Sequence, residues 1–492
     1  MTVAQIVAEA RDKYPTRIAM AFEGISWTYR QLWDEAMRRC AVLAARGVRP
    51  QNRVGILVPN HPEWFFNYIA ASRLGAVAVP INPAYTSHEI QALLDAAELT
   101  ALIVEDASPA RMGALKVPAG CALLSLADLA QAPAPASEPP AADLDERKPE
   151  VIYFSSGSTG QPKGIVHCGR TLRQIADLVR ANWRITGTDN TLVAMPLAFV
   201  YASTVEWLSA VRCGAGIVLQ RRFDAQEAVD MIARGEISIV MGVRSMFHAL
   251  LDAKLPANLK QGKLRLCITS GDVLAPALDK AFHEAFGCHL FEVYGLTETP
   301  VIVTHTLGVD DKSRDFSCGR ARPDVEIRLV DENGQVVPRG ELGELQCRTE
   351  PRFMEYFRNP EATRQVLKDG WFSTGDLMRE DADGYLYFVE RRKEMIKSSG
   401  FNILPGEVER IVQLMPGVKE VAVVGVPDDR KGEQVKAYVV REHGAALSAA
   451  DVIAECRDKL AKYKVPGVVE FLDALPRGAT GKLMRKELRA RG

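Results

Sequence analysis

Ten consecutive residues, Ser155-Ser156-Gly157-Ser158-Thr159-Gly160-Gln161-Pro162-Lys163-Gly164, combine three glycines, four hydroxyls and one lysine. They follow the apolar run Val151-Ile152-Tyr153-Phe154, which suits a buried strand. Glycines permit positive φ and a close approach of backbone to ligand. Free N–H groups and hydroxyls in such a loop cradle phosphate oxygens, and Lys163 adds positive charge. The chemistry implied is the binding of a polyphosphate. The Walker pattern does not fit: Pro162 stands where its second glycine belongs, and Gly164 follows Lys163 in place of a hydroxyl. The dinucleotide pattern G-x-G-x-x-G is also absent here.

Further segments carry residue types that complement such a loop. They are Trp27-Thr28-Tyr29 with Leu32, Tyr294-Gly295-Leu296-Thr297-Glu298, Ser373-Thr374-Gly375-Asp376-Leu377, Glu390-Arg391-Arg392-Lys393-Glu394-Met395-Ile396-Lys397 with Gly400, and Thr480-Gly481-Lys482. In this order they resemble the motifs of the AMP-forming adenylating enzymes: acyl-CoA synthetases, carrier-loading adenylation domains and firefly luciferase. The resemblance spans nearly the whole chain.

That resemblance implies a two-step reaction. A carboxylate attacks the α-phosphorus of ATP to give an acyl-adenylate and pyrophosphate, and a thiol then displaces AMP. ATP, Mg2+ and coenzyme A are the implied cofactors and co-substrates. The resemblance places ATP and AMP against Ser155, Ser156, Gly157, Ser158, Thr159, Gly160, Lys163, Tyr294, Gly295 and Thr297. Glu298 is the expected magnesium ligand, with Thr159 beside it, since hard cations take carboxylate and phosphate oxygens. Lys482 would reach the α-phosphate and the substrate carboxylate. Asp376 would hold the ribose diol, with Arg391 and Lys397 supporting ribose or phosphate. Gly271 and Asp272 lie where the family has its adenine loop, although Asp272 replaces the usual small residue.

Ser398, Ser399 and Gly400 resemble the loop that serves thioester formation. Glu390 stands at the family's hinge, where an exposed charged side chain tolerates two orientations. The expected acyl pocket is Phe199, Tyr201, Val243 and Gly295. Phe199 replaces a histidine common in the family. Tyr201 stands where amino-acid-activating domains have an aspartate, which argues against an amino-acid substrate. Phe199 and Tyr201, two apart on an extended segment, would face one side and restrict the acid to a short branched chain or a single aromatic ring. Arg244 is expected to face solvent, because long arginines snorkel.

These motifs need elements to hold them. The chain has 492 residues, too many for a single core. Apolar strand-like runs at 53–59, 77–81 and 101–105 alternate with helical ones at 62–75 and 87–98, which argues for parallel sheets with crossover helices. A Pro/Ala-rich stretch at 132–142 reads as a connector. After Asp376 the texture shifts to a smaller α+β unit. The expected fold is α/β: a large N-terminal domain of parallel and mixed sheets with flanking helices, residues 1–389, and a small mobile α+β domain, residues 390–492.

Charged residues make up 25% and apolar ones 47%, with a net charge of −1, so nothing favours nucleic acid or an anionic membrane. No uncharged run reaches the length of a membrane span. The N-terminus lacks a basic apolar leader, and the nine scattered cysteines suit a reducing, cytoplasmic setting. Cys168 beside His167 reads as structural. The partners expected are a small carboxylic acid, ATP and CoA; a homodimer is left open. Transfer to a carrier protein, a luciferase-like oxygenase and a binding protein without turnover are the rival readings.

Overall fold

The structure is a computed structural model. It describes every residue except 109–111, 114, 132, 134, 136, 140, 143, 157–161, 272, 306–309, 311–312, 399–400, 429, 443, 479–482 and 492, and only the backbone of Ser155, Ser156 and Asn402. Two compact units emerge: Met1–Val325 with Thr349–Gly370, and Glu326–Arg348 with Trp371–Gly492. The boundary expected at 389/390 therefore falls inside the smaller unit, on the strand Leu386–Arg391.

The larger unit holds two sheets. In one, Leu290–Tyr294, Leu266–Ser270, Ile239–Val243, Asn190–Val193, Gly216–Leu219 and Ile18–Phe22 run parallel as neighbours, with short antiparallel strands at both edges. In the other, Pro149–Ser156 pairs parallel with Val77–Pro80, beside Arg53–Leu57, Ala101–Val104 and Ala122–Ser125. On its far side Pro149–Ser156 turns back antiparallel into Pro162–Cys168, and Glu355–Tyr356 pairs antiparallel with that strand. The predicted α/β architecture with crossover helices is what the chain adopts.

Local signals explain the elements. Helix Pro62–Arg73 starts on proline, whose missing N–H costs nothing at a first turn. Thr28 caps helix Tyr29–Ala45, with Gln31 closing a capping box. Tyr29 is buried and its hydroxyl donates to the Ala215 carbonyl at 2.6 Å. The opening motif Trp27-Thr28-Tyr29 thus starts and anchors a helix. The smaller unit contains the antiparallel strands Glu326–Val330, Gly343–Arg348, Trp371–Glu380 and Leu386–Arg391. A second sheet pairs Val418–Asp428 with Gly432–Arg441. Helices Pro405–Gln413 and Ala449–Lys459 supply its buried core residues Val408, Val412, Val452 and Cys456.

One expectation fails here. Residues 196–199 form a turn, and Tyr201–Leu208 is a π-helix. Phe199 and Tyr201 therefore do not sit on an extended segment, and period-two alternation does not place their rings on one side. Such wide helical turns concentrate at functional sites. Here the turn carries Glu206, whose buried carboxyl has no hydrogen-bond partner among the described residues and is pushed well above its usual pKa by burial.

Candidate active site

The strand Pro162–Cys168 gathers several of the expected residues of the larger unit. Lys163, Ile165 and His167 alternate along Pro162–Cys168 and share one face. Tyr356 pairs directly with Ile165 across the adjoining short strand, so it lies between Lys163 and His167 on that face. The Lys163 ammonium sits 3.6 Å from the centre of the Tyr356 ring. The Tyr356 hydroxyl donates to Glu298 Oε1 at 2.7 Å. His167 Nε2 lies 2.7 Å from the Thr297 carbonyl, and a carbonyl only accepts, so the proton is on Nε2. The Phe353 N–H donates to the Glu298 carbonyl at 2.7 Å. Residues 130 positions apart in sequence are thus gripped as one object.

Tyr356 does not stand out in the sequence, and His167 reads there only as the neighbour of a structural Cys168. A two-residue strand, Glu355–Tyr356, leaves no periodic signal. His167 is fully buried, and burial pushes its pKa down to about 4, so the ring is neutral at working pH. Its Nδ1 has no partner among the described residues. Burial and the neighbouring Glu298 carboxylate hold the Tyr356 phenol far above its ordinary range, which keeps it a donor. Cys168 is buried with its Sγ 3.3 Å from Thr171 Oγ1, in keeping with a structural reading.

The segment bearing Thr297 and Glu298 is a tight loop. Tyr294 ends its strand, pairs with Val303, and accepts the Ile302 N–H at 2.8 Å. Leu296 and Thr299 exchange backbone hydrogen bonds at 3.2 Å each. A side chain at Gly295 would place Cβ 2.4 Å from the Val301 nitrogen. Val301 itself adopts φ +55°, a region that costs a β-branched residue strain. Glu298 is half-buried and offers a hard oxygen. No cluster of three or more metal-ligating side chains occurs among the described residues. One carboxylate completed by phosphate oxygens and water suits Mg2+, which keeps much of its hydration.

Among the other expected residues, Val243 ends its strand half-buried, and Gly271 follows Leu266–Ser270 at φ +90°. Arg244 is half-buried, with Nη1 3.4 Å from the Val273 carbonyl, so it does not simply extend into solvent. Phe199 is half-buried. Tyr201 packs against the core, and its buried hydroxyl has no partner among the described residues. Ser155 and Ser156 pair by backbone with Lys163 and Pro162. Gly157, Ser158, Thr159, Gly160, Asp272, Ser399, Gly400 and Lys482 lie outside the described residues.

In the smaller unit, Asp376 and Arg391 pair across adjacent strands, with Nε 3.4 Å from Oδ1. Asp376 is buried, and its N–H donates to Thr374 Oγ1 at 3.1 Å. Lys397 is exposed, and its backbone N–H donates to Glu433 at 2.6 Å. Ser398 is buried and pairs with Gly432 and Phe401. Glu390 overturns its expected exposure: it is only 2% exposed. Its two oxygens accept the Arg391 N–H at 2.9 Å and the Gly406 N–H at 3.1 Å. Burial, reinforced by Glu409 and Glu394 and opposed by Arg485, pushes its pKa up to about 7.

Residues 7–357 match the model of the AMP-binding enzyme family, and 407–482 match the AMP-binding enzyme C-terminal domain. The chain belongs to the AMP-binding enzyme family. It is 34% identical over 488 residues to a feruloyl-CoA synthase of Amycolatopsis, covering 97% of this chain and 96% of that one. It is 32% identical to the long-chain-fatty-acid–CoA ligase FadD13 of Mycobacterium tuberculosis, covering 94% and 93%. The ATP-bound crystal structure of MatB from Rhodopseudomonas palustris superposes with a TM-score of 0.91 at 29% identity, covering 100% and 99%. The chain is an AMP-forming acyl-CoA ligase that works on ATP, a carboxylic acid and CoA. No helix among the described residues is long and apolar enough to cross a membrane.

Proposed function

We propose that this AMP-forming acyl-CoA ligase activates a small or medium acid, either short and branched or carrying a single aromatic ring. In the first step the acid's carboxylate oxygen bonds to the α-phosphorus, the bond to the bridging oxygen breaks, and pyrophosphate leaves. In the second the CoA sulfur bonds to the acyl carbon and AMP leaves with the electron pair. Negative charge gathers at phosphorus in the first step, and preorganised cations lower that barrier. Lys163 and Lys482 are the cations assigned to it. Glu298 would hold Mg2+, and the ion would supply neutralisation of the triphosphate charge. Thr159, Thr297 and the hydroxyls of 155–158 line the phosphates. Asp376, oriented by Arg391, accepts from the ribose hydroxyls, and Gly271 and Asp272 border the adenine.

The meeting of Lys163 and Glu298 on one tyrosine carries the adenylating reading. The acid's size rests on Phe199, half-buried just before the π-helix, with Val243 and Gly295 as further walls. Tyr201, packed into the core, fixes the wall's position more than it fills the pocket. Residues 398–400 serve the thiol step, and residue 390 lies at the pivot between the two half-reactions. The experiment is pyrophosphate release over isobutyrate, hexanoate, benzoate, ferulate and palmitate, with thioester measured with and without CoA. Preference for palmitate over all the others overturns the proposed acid class.

A further inference from the structure

Tyr356 belongs to no motif named above, yet two of the residues assigned to phosphate and metal converge on it. It is only 3% exposed. Its backbone is locked: its N–H donates to Thr363 Oγ1 at 3.0 Å, and the N–H groups of Met354 and Phe357 on either side donate to the carbonyls of Val166 and Gly164 at 2.8 and 2.7 Å. Its ring lies 4.8 Å from that of Phe353. A phenol so fixed presents two distinct recognition elements. The hydroxyl, a donor to a carboxylate, makes a charge-assisted hydrogen bond. The ring face, electron-rich, attracts an ammonium.

We propose that Tyr356 is a positioning residue for adenylation, its hydroxyl orienting the Glu298 carboxylate and its ring face holding the Lys163 ammonium, so that one side chain sets the spacing between metal and phosphate ligands. This rests on the roles proposed for Glu298 and Lys163. The two side chains come from distant segments of the chain, and each is long enough to adopt many rotamers. Tyr356 is the rigid group common to both. His167 and Phe353 fix the backbone of 297–298 through its carbonyls, and Tyr356 adds the side-chain constraint that backbone contacts lack.

The test is calorimetric titration of ATP into the full-length protein at several Mg2+ concentrations, without acid, for the unmodified chain, Y356F, Y356L and T363V. Y356F keeps the ring and loses the hydroxyl. It is expected to raise the Mg2+ concentration for half-maximal ATP binding about tenfold, the usual scale of a hydrogen bond to a charged group. Its ATP affinity at saturating Mg2+ should change less than about threefold, because the ring face that holds the ammonium is kept. Y356L removes the ring as well and is expected to weaken ATP binding at saturating Mg2+ by a further factor of about five. T363V loosens the backbone that fixes the phenol and is expected to raise the Mg2+ requirement in the same direction as Y356F but by less, while lowering the melting temperature. A Y356F protein with the unmodified Mg2+ dependence overturns the proposal, whether or not its melting temperature falls. Y356F preserves the packing volume, so the test stands where Y356L fails to fold. ATP binding needs no acid, so failure to find an accepted acid counts against the acid class alone.

Discussion

Replacing His167 by glutamine separates the neutral imidazole's hydrogen bond from its proton chemistry. Glutamine's amide nitrogen reaches about as far as Nε2 and can still donate to the Thr297 carbonyl, but it does not titrate. In the native protein the His167 pKa falls from 6.5 to about 4, through burial and despite the bond to Thr297. The unfolded chain therefore binds this proton more readily than the folded one. Stability from His167 is intact above pH 6.5 and is lost as pH falls through the window from 6.5 to about 4. The loss is about 2 kcal/mol at pH 5 and approaches about 3 kcal/mol below pH 4. Glu390 works in the opposite sense: its raised pKa stabilises at low pH and that contribution fades as pH rises through about 7. The raw pH profile of the unmodified protein mixes the two, so the difference between it and His167→Gln is the useful quantity. Urea unfolding followed by tryptophan fluorescence from about pH 7.5 to about pH 5 measures it, a range that brackets most of the histidine's titration window. Trp64, Trp183 and Trp207 are fully buried in the unit that holds His167. The variant is expected to gain about 2 kcal/mol relative to the unmodified protein between these two pH values. Parallel profiles refute the assignment of a neutral, buried histidine at this position.

Gly295→Ala places a methyl 2.4 Å from the Val301 nitrogen and must displace the Thr297–Glu298 loop; pyrophosphate release is expected to fall about tenfold or more, with the melting temperature lowered by a loss of about 1–3 kcal/mol. Arg485→Met removes the cation that bonds Glu409 at 3.0 Å and Glu394 at 3.2 Å, and should cost the smaller unit about 3 kcal/mol, read as faster amide exchange along Val418–Asp428. Lys482→Ala is expected to lower pyrophosphate release roughly a hundredfold while supplied acyl-adenylate still forms thioester with CoA; equal losses in both steps would refute a role confined to adenylation. Phe199→Ala should shift preference toward bulkier acids by about 1–3 kcal/mol, measured as relative kcat/KM across the acid panel.

Much of the fold was legible because the sequence punctuates it. The helical run at 62–75 contains the helix Pro62–Arg73, and the runs at 53–59 and 101–105, read as strands from their residue types, contain the buried strands Arg53–Leu57 and Ala101–Val104. The motifs were legible because each concentrates unusual residues over four or five positions. What escaped was whatever depends on distant chain segments meeting. Tyr356 acquires its meaning only when its two-residue strand docks on Ile165, and His167 only when Thr297 comes within reach of its ring. Glu390 looked exposed because its neighbours are charged; in the fold it is enclosed, and Arg485 reaches its surroundings from near the end of the chain. The π-helix at Tyr201–Leu208 escaped because an apolar run beside a proline reads equally well as an extended wall.

The missed residues share a physical reason for being where they are. They lie on, or bond to, the strand Pro162–Cys168. Pro162–Cys168 is bonded on one edge to Pro149–Ser156 and, at Ile165 and Val166, on the other to Glu355–Tyr356. From that strand Lys163 extends to the tyrosine that also bonds Glu298, and His167 grips the carbonyl next to Glu298. A neutral, buried imidazole that donates to a carbonyl does not compete with Lys163 for an anionic ligand, whereas a lysine or arginine at position 167 would. Burial that depresses the His167 pKa therefore serves the site as well as the core. It ties the strand that carries Lys163 to the segment that carries Glu298 without adding a charge beside the two residues proposed for phosphate and metal. His167→Lys tests this, with ATP affinity measured by calorimetry on protein whose fold is verified by circular dichroism. ATP affinity should fall as the added cation draws the nucleotide phosphates away from Lys163, and unchanged affinity would show that the charge of this residue does not matter to the site.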